Sequence, residues 1–344
     1  MDIANAQDLW SPEPGWLNTA TYGLPPRPAW DQLQEALAGW RAGTSHREAW
    51  EARKTDAREM FARLVNVPVD DVATGAAVSQ ILGPVAAAVP DNALVVAPDI
   101  EFTSNLFPWL VHEDRLRVAT VPTDRLVDRV SAGCDLVAFS LVQSATGEVA
   151  EYERLVAAAR AVGALVVVDA TQACGWLPFD ASLADVVVVG AYKWLMAPRG
   201  SAFGYLSPGL RETMRPTMAG WAAGKVVDES YYGPPLRLAD NARRFDISDA
   251  WFSWVGAAPA LEVIGQIGLD AIHEHDIALA NRFLAGLGRT PSNSAIVTVD
   301  TPGAKEKLDQ AGVRASVRSG SVRVAFHVYT TEADVDLALE ALSS

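Results

Sequence analysis

Two cysteines in 344 residues, Cys134 and Cys174, stand far apart and inside apolar stretches, so neither a disulfide framework nor a CxxC metal site can be built from them. That scarcity fits a reducing cytosol, and a cytoplasmic protein is the expectation. Basic residues are in the minority, 28 against 42 acidic, and the formal net charge of −14 repels phosphate backbones and anionic lipid. No nucleic acid and no membrane surface is expected as a partner. No window approaches about 18 uninterrupted apolar residues, and the opening MDIANAQDLW carries acid where a secretory leader needs a basic flank. Internal periods, charge blocks and low-complexity tracts are missing too, which removes solenoids, propellers and tethered tails. Neither GxGxxG, nor a P-loop, nor GxSxG occurs. His273 and His275 are two apart with no third ligand nearby, so they read as solvent-exposed histidines and no metal is expected.

Present instead is an ordinary globular balance, 50% hydrophobic and 20% charged, in a chain long enough for about two domains of roughly 100–200 residues. Short runs rich in Val and Ala predict strands over Ala93–Ala97, Asp135–Phe139, Ala164–Val168, Asp185–Val189 and Ser201–Leu206. Such runs, apolar on both faces, belong in a covered parallel sheet. Between and before them helical periods cover Ala29–Trp40, Glu48–Val65, Val78–Ala88 and Tyr152–Val162, the last closed at Gly163. The alternation predicts an α/β fold with ligands beyond the carboxyl ends of the strands. From Trp251 the texture changes to a long helix reaching about Leu287, a strand at Ala295–Asp300, a helix near Lys305–Ala311, a strand at Val322–Val328 and a last helix at Glu332–Leu342. The expected division is an N-terminal segment over 1–20, a large domain over 21–250 and a smaller α+β domain over 251–344. Its boundary falls in the irregular Pro/Gly/Tyr segment between Ser207 and Asp249.

ALVVVDATQACG places Asp169 at the carboxyl end of a buried strand with Gln172 three residues on, and ADVVVVGAYKWL ends the same way with Tyr192 and Lys193. Lysine occurs only at positions 54, 193, 225, 305 and 307, and Lys193 alone ends an apolar strand. Desolvation there lowers an amine's pKa and makes it a nucleophile. A carboxylate and a lysine on neighbouring strand ends form either a plain buried ion pair or a pyridoxal phosphate site. That cofactor needs a Schiff-base lysine and an acid that keeps its pyridine nitrogen protonated.

Asp169-Ala170-Thr171-Gln172, Gly190-Ala191-Tyr192-Lys193-Trp194-Leu195 and Ala197-Pro198-Arg199-Gly200 resemble the class V aminotransferases, the cysteine-desulfurase-like branch of fold type I pyridoxal phosphate enzymes. The likeness extends to Leu17-Asn18-Thr19-Ala20 with Gly23 and Pro25, to EFTSNLFPW over 101–109, and to Arg323 in VRVAFHVYTTEADVD. It implies a large domain with a mostly parallel sheet flanked by helices, a smaller C-terminal domain, pyridoxal 5'-phosphate (PLP) as cofactor, a small amino-acid substrate and a homodimer. It further implies Lys193 as the Schiff-base lysine, Asp169 as the pyridinium contact and Gln172 as a hydrogen-bond partner of the ring's phenolic oxygen. Phe102 would stack on the ring, and Tyr192 would contact the phosphate. Ala76 and Ala77 would hold the phosphate through backbone N–H groups at a helix start. Arg323 would bind the substrate carboxylate, and Asn18 would also contact the substrate. Ser248, in RFDISD over 244–249, would reach the phosphate of a second subunit, with Asp249 turned away or capping the next helix.

Several positions depart from the family pattern. Phe102 stands where many relatives place a histidine, Tyr192 replaces the histidine before the lysine, and Gly190 replaces a serine. Ser144 falls where asparagine is common, with Gln143 as a rival beside the phenolic oxygen. The segment GVRASVRSG over 312–320 carries no cysteine, so persulfide-forming desulfurase chemistry is not expected. The expected activity is proton transfer at the α-carbon of an amino acid, with transamination preferred. β-Elimination including C–S lysis, and a non-catalytic binding or regulatory protein on the same fold, stand as alternatives.

Overall fold

The computed structural model describes residues 1–343 and gathers the Val/Ala runs into one seven-stranded sheet. Three helices come first, α1 (Ile3–Gln7), α2 (Arg27–Ala42) and α3 (Arg47–Leu64). Then follow β1 (Val72–Gly75), α4 (Val78–Ala88), β2 (Leu94–Pro98), α5 (Thr103–Leu110), β3 (Arg117–Val121), α6 (Leu126–Ser131), β4 (Leu136–Ser140), α7 (Tyr152–Val162), β5 (Leu165–Asp169), β6 (Val186–Gly190) and β7 (Ala202–Leu206). After α8 (Pro208–Thr213) the chain forms α9 (Trp251–Ile267), α10 (Leu269–Gly286), β8 (Ile296–Val299), α11 (Ala304–Gln310), β9 (Ser316–Arg318), β10 (Ser321–Ala325) and α12 (Glu332–Ser343).

The large sheet has the order β1-β7-β6-β5-β4-β2-β3; β7 runs against both its neighbours and the other six strands are parallel. Alternation along each strand feeds two cores. Val137, Phe139, Val166, Val168, Val187 and Val189 face one, with Phe61 of α3, Leu155 of α7 and Ile264 of α9. Leu136, Ala138, Val167, Val186 and Val188 face the other, with Leu82 of α4 and Trp109 of α5. Four of the five expected strands extend one residue further at the carboxyl end, to Pro98, Ser140, Asp169 and Gly190. The ladder thus carries Ser140 and Asp169 to paired positions at the sheet's edge.

The single helix expected from Trp251 to Leu287 is broken at Gly268, whose φ of 93° suits glycine, and α9 and α10 bend by 83°. α9 is apolar on most of its surface because it is buried in the first core, with Glu262 and Gln266 turned to solvent. The boundary expected at 251 therefore falls before a helix that belongs to the large sheet's packing. A separate core holds β8, β10 and β9 as an antiparallel sheet with residues of α10, α11 and α12, and Leu17 of the N-terminal segment joins it. Ala325 N–H donates to Leu17 C=O, so the first twenty residues stitch the two cores together. Among the described residues no single helix is long and apolar enough to cross a membrane.

Candidate active site

Parallel strands deliver their carboxyl ends to one edge, and here Gly75, Ser140, Asp169 and Gly190 arrive together, with Arg199 and Ser201 just before β7. Between them lies a cleft enclosing about 620 Å³ of empty space, its mouth included. Ala76, Ala77, Phe102, Ser144, Asp169, Gln172, Tyr192 and Lys193 all line it. Of the expected site residues, Asn18, Ser248 and Arg323 lie outside this lining.

Lys193 sits on a tight turn after β6, where Met196 takes a left-handed φ of 55°. Lys193 C=O accepts from Met196 N–H at 3.0 Å, and Tyr192 C=O accepts from Gly23 N–H at 2.9 Å. A Cβ on Gly23 would stand 2.0 Å from the Lys193 carbonyl oxygen, so only glycine lets the N-terminal segment approach this turn. The amine lies 5.4 Å from the Phe102 ring centroid and 5.8 Å from that of Tyr192. Burial pulls the Lys193 pKa down to about 8; Asp169 opposes the shift, and Arg323, Arg318 and Arg199 add to it. A neutral amine is thereby accessible near neutral pH, as a Schiff-base lysine requires.

Asp169 is buried, and that burial raises its carboxyl pKa against the pull of Thr171 and Lys193. Thr171 N–H donates to it at 2.9 Å. Gln172 spends its amide on the protein: Nε2 donates to Ala20 C=O at 2.9 Å and to Ser144 Oγ at 3.1 Å, while Oε1 accepts from Trp194 Nε1 at 2.8 Å. Ser144 Oγ also accepts from an Arg323 N–H at 3.0 Å, which leaves its own hydroxyl proton for the cleft. Gln143, the rival of Ser144, turns instead to Glu101 at 3.3 Å.

At the helix start Ala76 N–H donates to Gln80 Oε1 at 3.0 Å, while Ala77 makes no side-chain cap and the first turn has no acid. The remaining N–H groups of Ala77 and the first turn, with the helix dipole, attract an anion there. Exposed Arg199 adds a cation and stacks 5.0 Å over the Tyr192 ring. Ser248 is exposed and lines a neighbouring hollow with Gly75 and Ala76 of the same chain. Asp249 does not cap α9; it pairs with Lys54 Nζ at 2.7 Å. Asp246 accepts from Thr74 N–H at 2.9 Å and pairs with buried Arg58, so the loop over 244–249 is tied behind the helix start.

Arg323 is wholly buried and has no carboxylate partner among the described residues. It donates to Ser144 C=O and Oγ and, at 3.1 Å, to Thr21 Oγ1, while its Nε has no partner. Burial and Arg318 lower its pKa to about 10. A buried guanidinium whose partners are all neutral acceptors attracts an anion. Asn18 joins this group indirectly, accepting from the Thr21 hydroxyl at 2.7 Å.

Three participants were not singled out from sequence. Glu101 accepts from Phe102 N–H at 2.9 Å, Ser140 N–H at 2.7 Å, the Ser140 hydroxyl and Gln143 Nε2, and so fixes the segment that presents Phe102. Its place at the head of EFTSNLFPW was the available signal. Arg199 lay inside a quoted motif and Thr21 between the quoted Ala20 and Gly23, without a pattern that marked either. Cys174 is buried with its thiol pKa raised, and Cys134 is half-buried before β4. The segment over 312–320 forms β9 and its turn, without cysteine. Among the described residues no group of three or more His, Cys, Asp or Glu could hold a metal ion. The expectation of solvent-exposed His273 and His275 is not met. Both are half-buried where α10 meets the large domain, His273 stacked on Trp176 and His275 bonded to Thr330 C=O.

The family model described as "Aminotransferase class-V" matches residues 17–306. A probable cysteine desulfurase of Methanothermobacter thermautotrophicus is 28% identical over 67% of this chain and 60% of its own length. An uncharacterized aminotransferase of Bacillus subtilis, YcbU, is 27% identical over 88% of this chain and 86% of its own. Among solved structures, a C-DES variant with glycine covalently linked to its PLP cofactor superimposes with a TM-score of 0.88 at 17% identity, covering 100% of this chain and 99% of that one.

Proposed function

We propose, for a chain that belongs to the class V aminotransferase family and uses PLP, an enzyme that exchanges the amino group of an α-amino acid for a carbonyl oxygen. The observation that carries this reading is the buried guanidinium of Arg323, unmatched by any carboxylate among the described residues and bonded to the same Ser144 that lines the cleft with Lys193. A planar fork in that place suits an α-carboxylate, held in two parallel bonds.

The residues fit the cofactor by their donors. Asp169 would hold the pyridine nitrogen, Phe102 the ring face, Ser144 the phenolic oxygen, and the Ala76–Ala77 helix start the phosphate, with Arg199 and Tyr192 beside it. When bound, PLP supplies a carbonyl carbon for the substrate's amine and a protonated ring that takes up the electron pair released at the α-carbon. The Lys193 amine would be the base that removes the α-proton and returns it. Phe102 cannot exchange protons, so no second base flanks the ring on that face. Arg323 fixes the carboxylate and thereby orients the α-hydrogen bond.

A second reading, β-elimination with C–S cleavage, is favoured by the names of relatives such as the M. thermautotrophicus protein. Persulfide transfer to an enzyme cysteine is not part of either reading, since the 312–320 segment has none. The test is a single-turnover assay of the holoenzyme with a panel of L-amino acids. A keto acid released in one equivalent per site, with further turnover only when a second keto acid is added, is the expected result. Continuous release of ammonia and pyruvate without an acceptor would establish elimination instead.

A further inference from the structure

The turn that carries Lys193 is pinned from the far core by one histidine. Three successive carbonyls of the turn are occupied: Tyr192 by Gly23 N–H, Lys193 by Met196 N–H, and Trp194 by Nε2 of His327 at 3.0 Å. His327 lies in the turn after β10 and is wholly buried, and its Nδ1 stands 2.9 Å from Asp276 Oδ2 of α10, also wholly buried. A carbonyl only accepts, so Nε2 carries the proton that faces Trp194. One more proton lies between Nδ1 and Asp276. On either atom it leaves the Nε2–H donor in place, so Asp276 fixes the tautomer.

The same contact continues into the cleft through Trp194. The His327 ring meets the Trp194 indole edge-on, with centroids 5.1 Å apart at 78°. Trp194 Nε1 then sets Gln172 Oε1, while Trp176 Nε1 donates to the Gln172 main-chain carbonyl at 2.6 Å. Trp176 is itself backed by the stacked ring of His273. Two tryptophans thus hold Gln172, each supported by a histidine from the C-terminal half.

We propose that His327, held by Asp276, is a positioning residue that ties the small-sheet core to the Lys193 turn and sets the Gln172 amide. The proposal rests on Lys193 being the lysine that bonds PLP. Its test uses the cofactor as probe: PLP is added to cofactor-free protein, and the rate at which the visible band develops, the pH midpoint of that band and the melting temperature are measured. Asp276→Asn can donate to Nδ1 and keep the Nε2–H tautomer, so its loading rate should stay within about threefold of the parent. Asp276→Leu frees the ring and should slow loading on the order of 10-fold, as misplacement of a reacting group does, with the midpoint shifted by about 0.5 pH unit. His327→Gln, which retains an N–H for the carbonyl, should load faster than His327→Phe. Asp276→Asn and Asp276→Leu behaving alike would overturn the proposal. So would lowered melting temperatures with unchanged rate and midpoint. If His327→Phe does not fold, the two Asp276 variants decide alone. A band that survives in Lys193→Ala would instead remove the lysine assignment beneath the proposal.

Discussion

Glu101 faces four donors, yet burial outweighs them and pushes its pKa up to about 7, with Asp169 adding to the shift. A carboxyl that ionises near pH 4.5 in the unfolded chain and near 7 in the fold binds more protons when folded between those values. Stability contributed by this group is therefore present at low pH and lost as pH rises through that window, by at most about 3 kcal/mol. Glu101→Gln should shrink the stability difference between pH 5 and pH 7.5 by up to that amount. It should also cost about 1 kcal/mol overall, because one amide nitrogen must face a backbone N–H. Urea titrations of the cofactor-free protein check this; an unchanged difference would assign the slope to other buried acids such as Asp276. Residues of this kind were hidden in the sequence for a physical reason. Lys193, Asp169 and Arg323 are charges in apolar strands and stand out by type, whereas Glu101, Thr21 and His327 matter through partners 39, 302 and 133 residues away.

At the scale of elements, the buried strands β2, β4, β5, β6 and β7 were legible because both their faces are apolar. The two outer strands were not. β3 has an exposed and half-buried face pattern at the sheet's edge, and β1 is four residues long. The strand expected over Val322–Val328 ends at Ala325, since the chain must turn there to bring His327 inward, where it bonds the Trp194 carbonyl of the turn that carries Lys193. Gly23 shows how an element's position depends on a missing side chain. Gly23→Ala puts a methyl 2.0 Å from the Lys193 carbonyl, and the neighbour is backbone, so the N-terminal segment or the lysine turn must move. The expected cost is about 1–3 kcal/mol of stability, as for other overpacked sites. PLP affinity should fall more than the melting temperature alone would suggest, which equilibrium titration beside thermal melting measures. A variant that melts lower but binds PLP as the parent does would show that the contact serves packing only.

At the scale of the whole molecule, a chain of net charge −14 gathers Lys193, Arg199, Arg318 and Arg323 about one cleft, a local field that draws anions from an acidic surround. Phe102 at the cleft and Phe107 and Val111 on and beside α5 are exposed, as are Met218, Tyr232 and Leu236 in the segment after α8, and Met218 reaches Gln80 of α4. Exposed side chains of this size mark an interface where they gather into one patch. We propose that a second copy of the chain covers them and that its loop over 244–249 closes the phosphate end, Ser248 being exposed there and Asp249 held back by Lys54. Light scattering should then report a homodimer. Tyr232→Glu with Leu236→Glu should give monomers that bind PLP on the order of 10-fold more weakly, about 1.4 kcal/mol. Ser248→Ala should weaken PLP binding while leaving the dimer intact, because it removes a hydroxyl and no interface area. A parent protein that scatters as a monomer and binds PLP as tightly as any variant would overturn the arrangement, and would mean that the anion site at Ala76–Ala77 is complete within one chain.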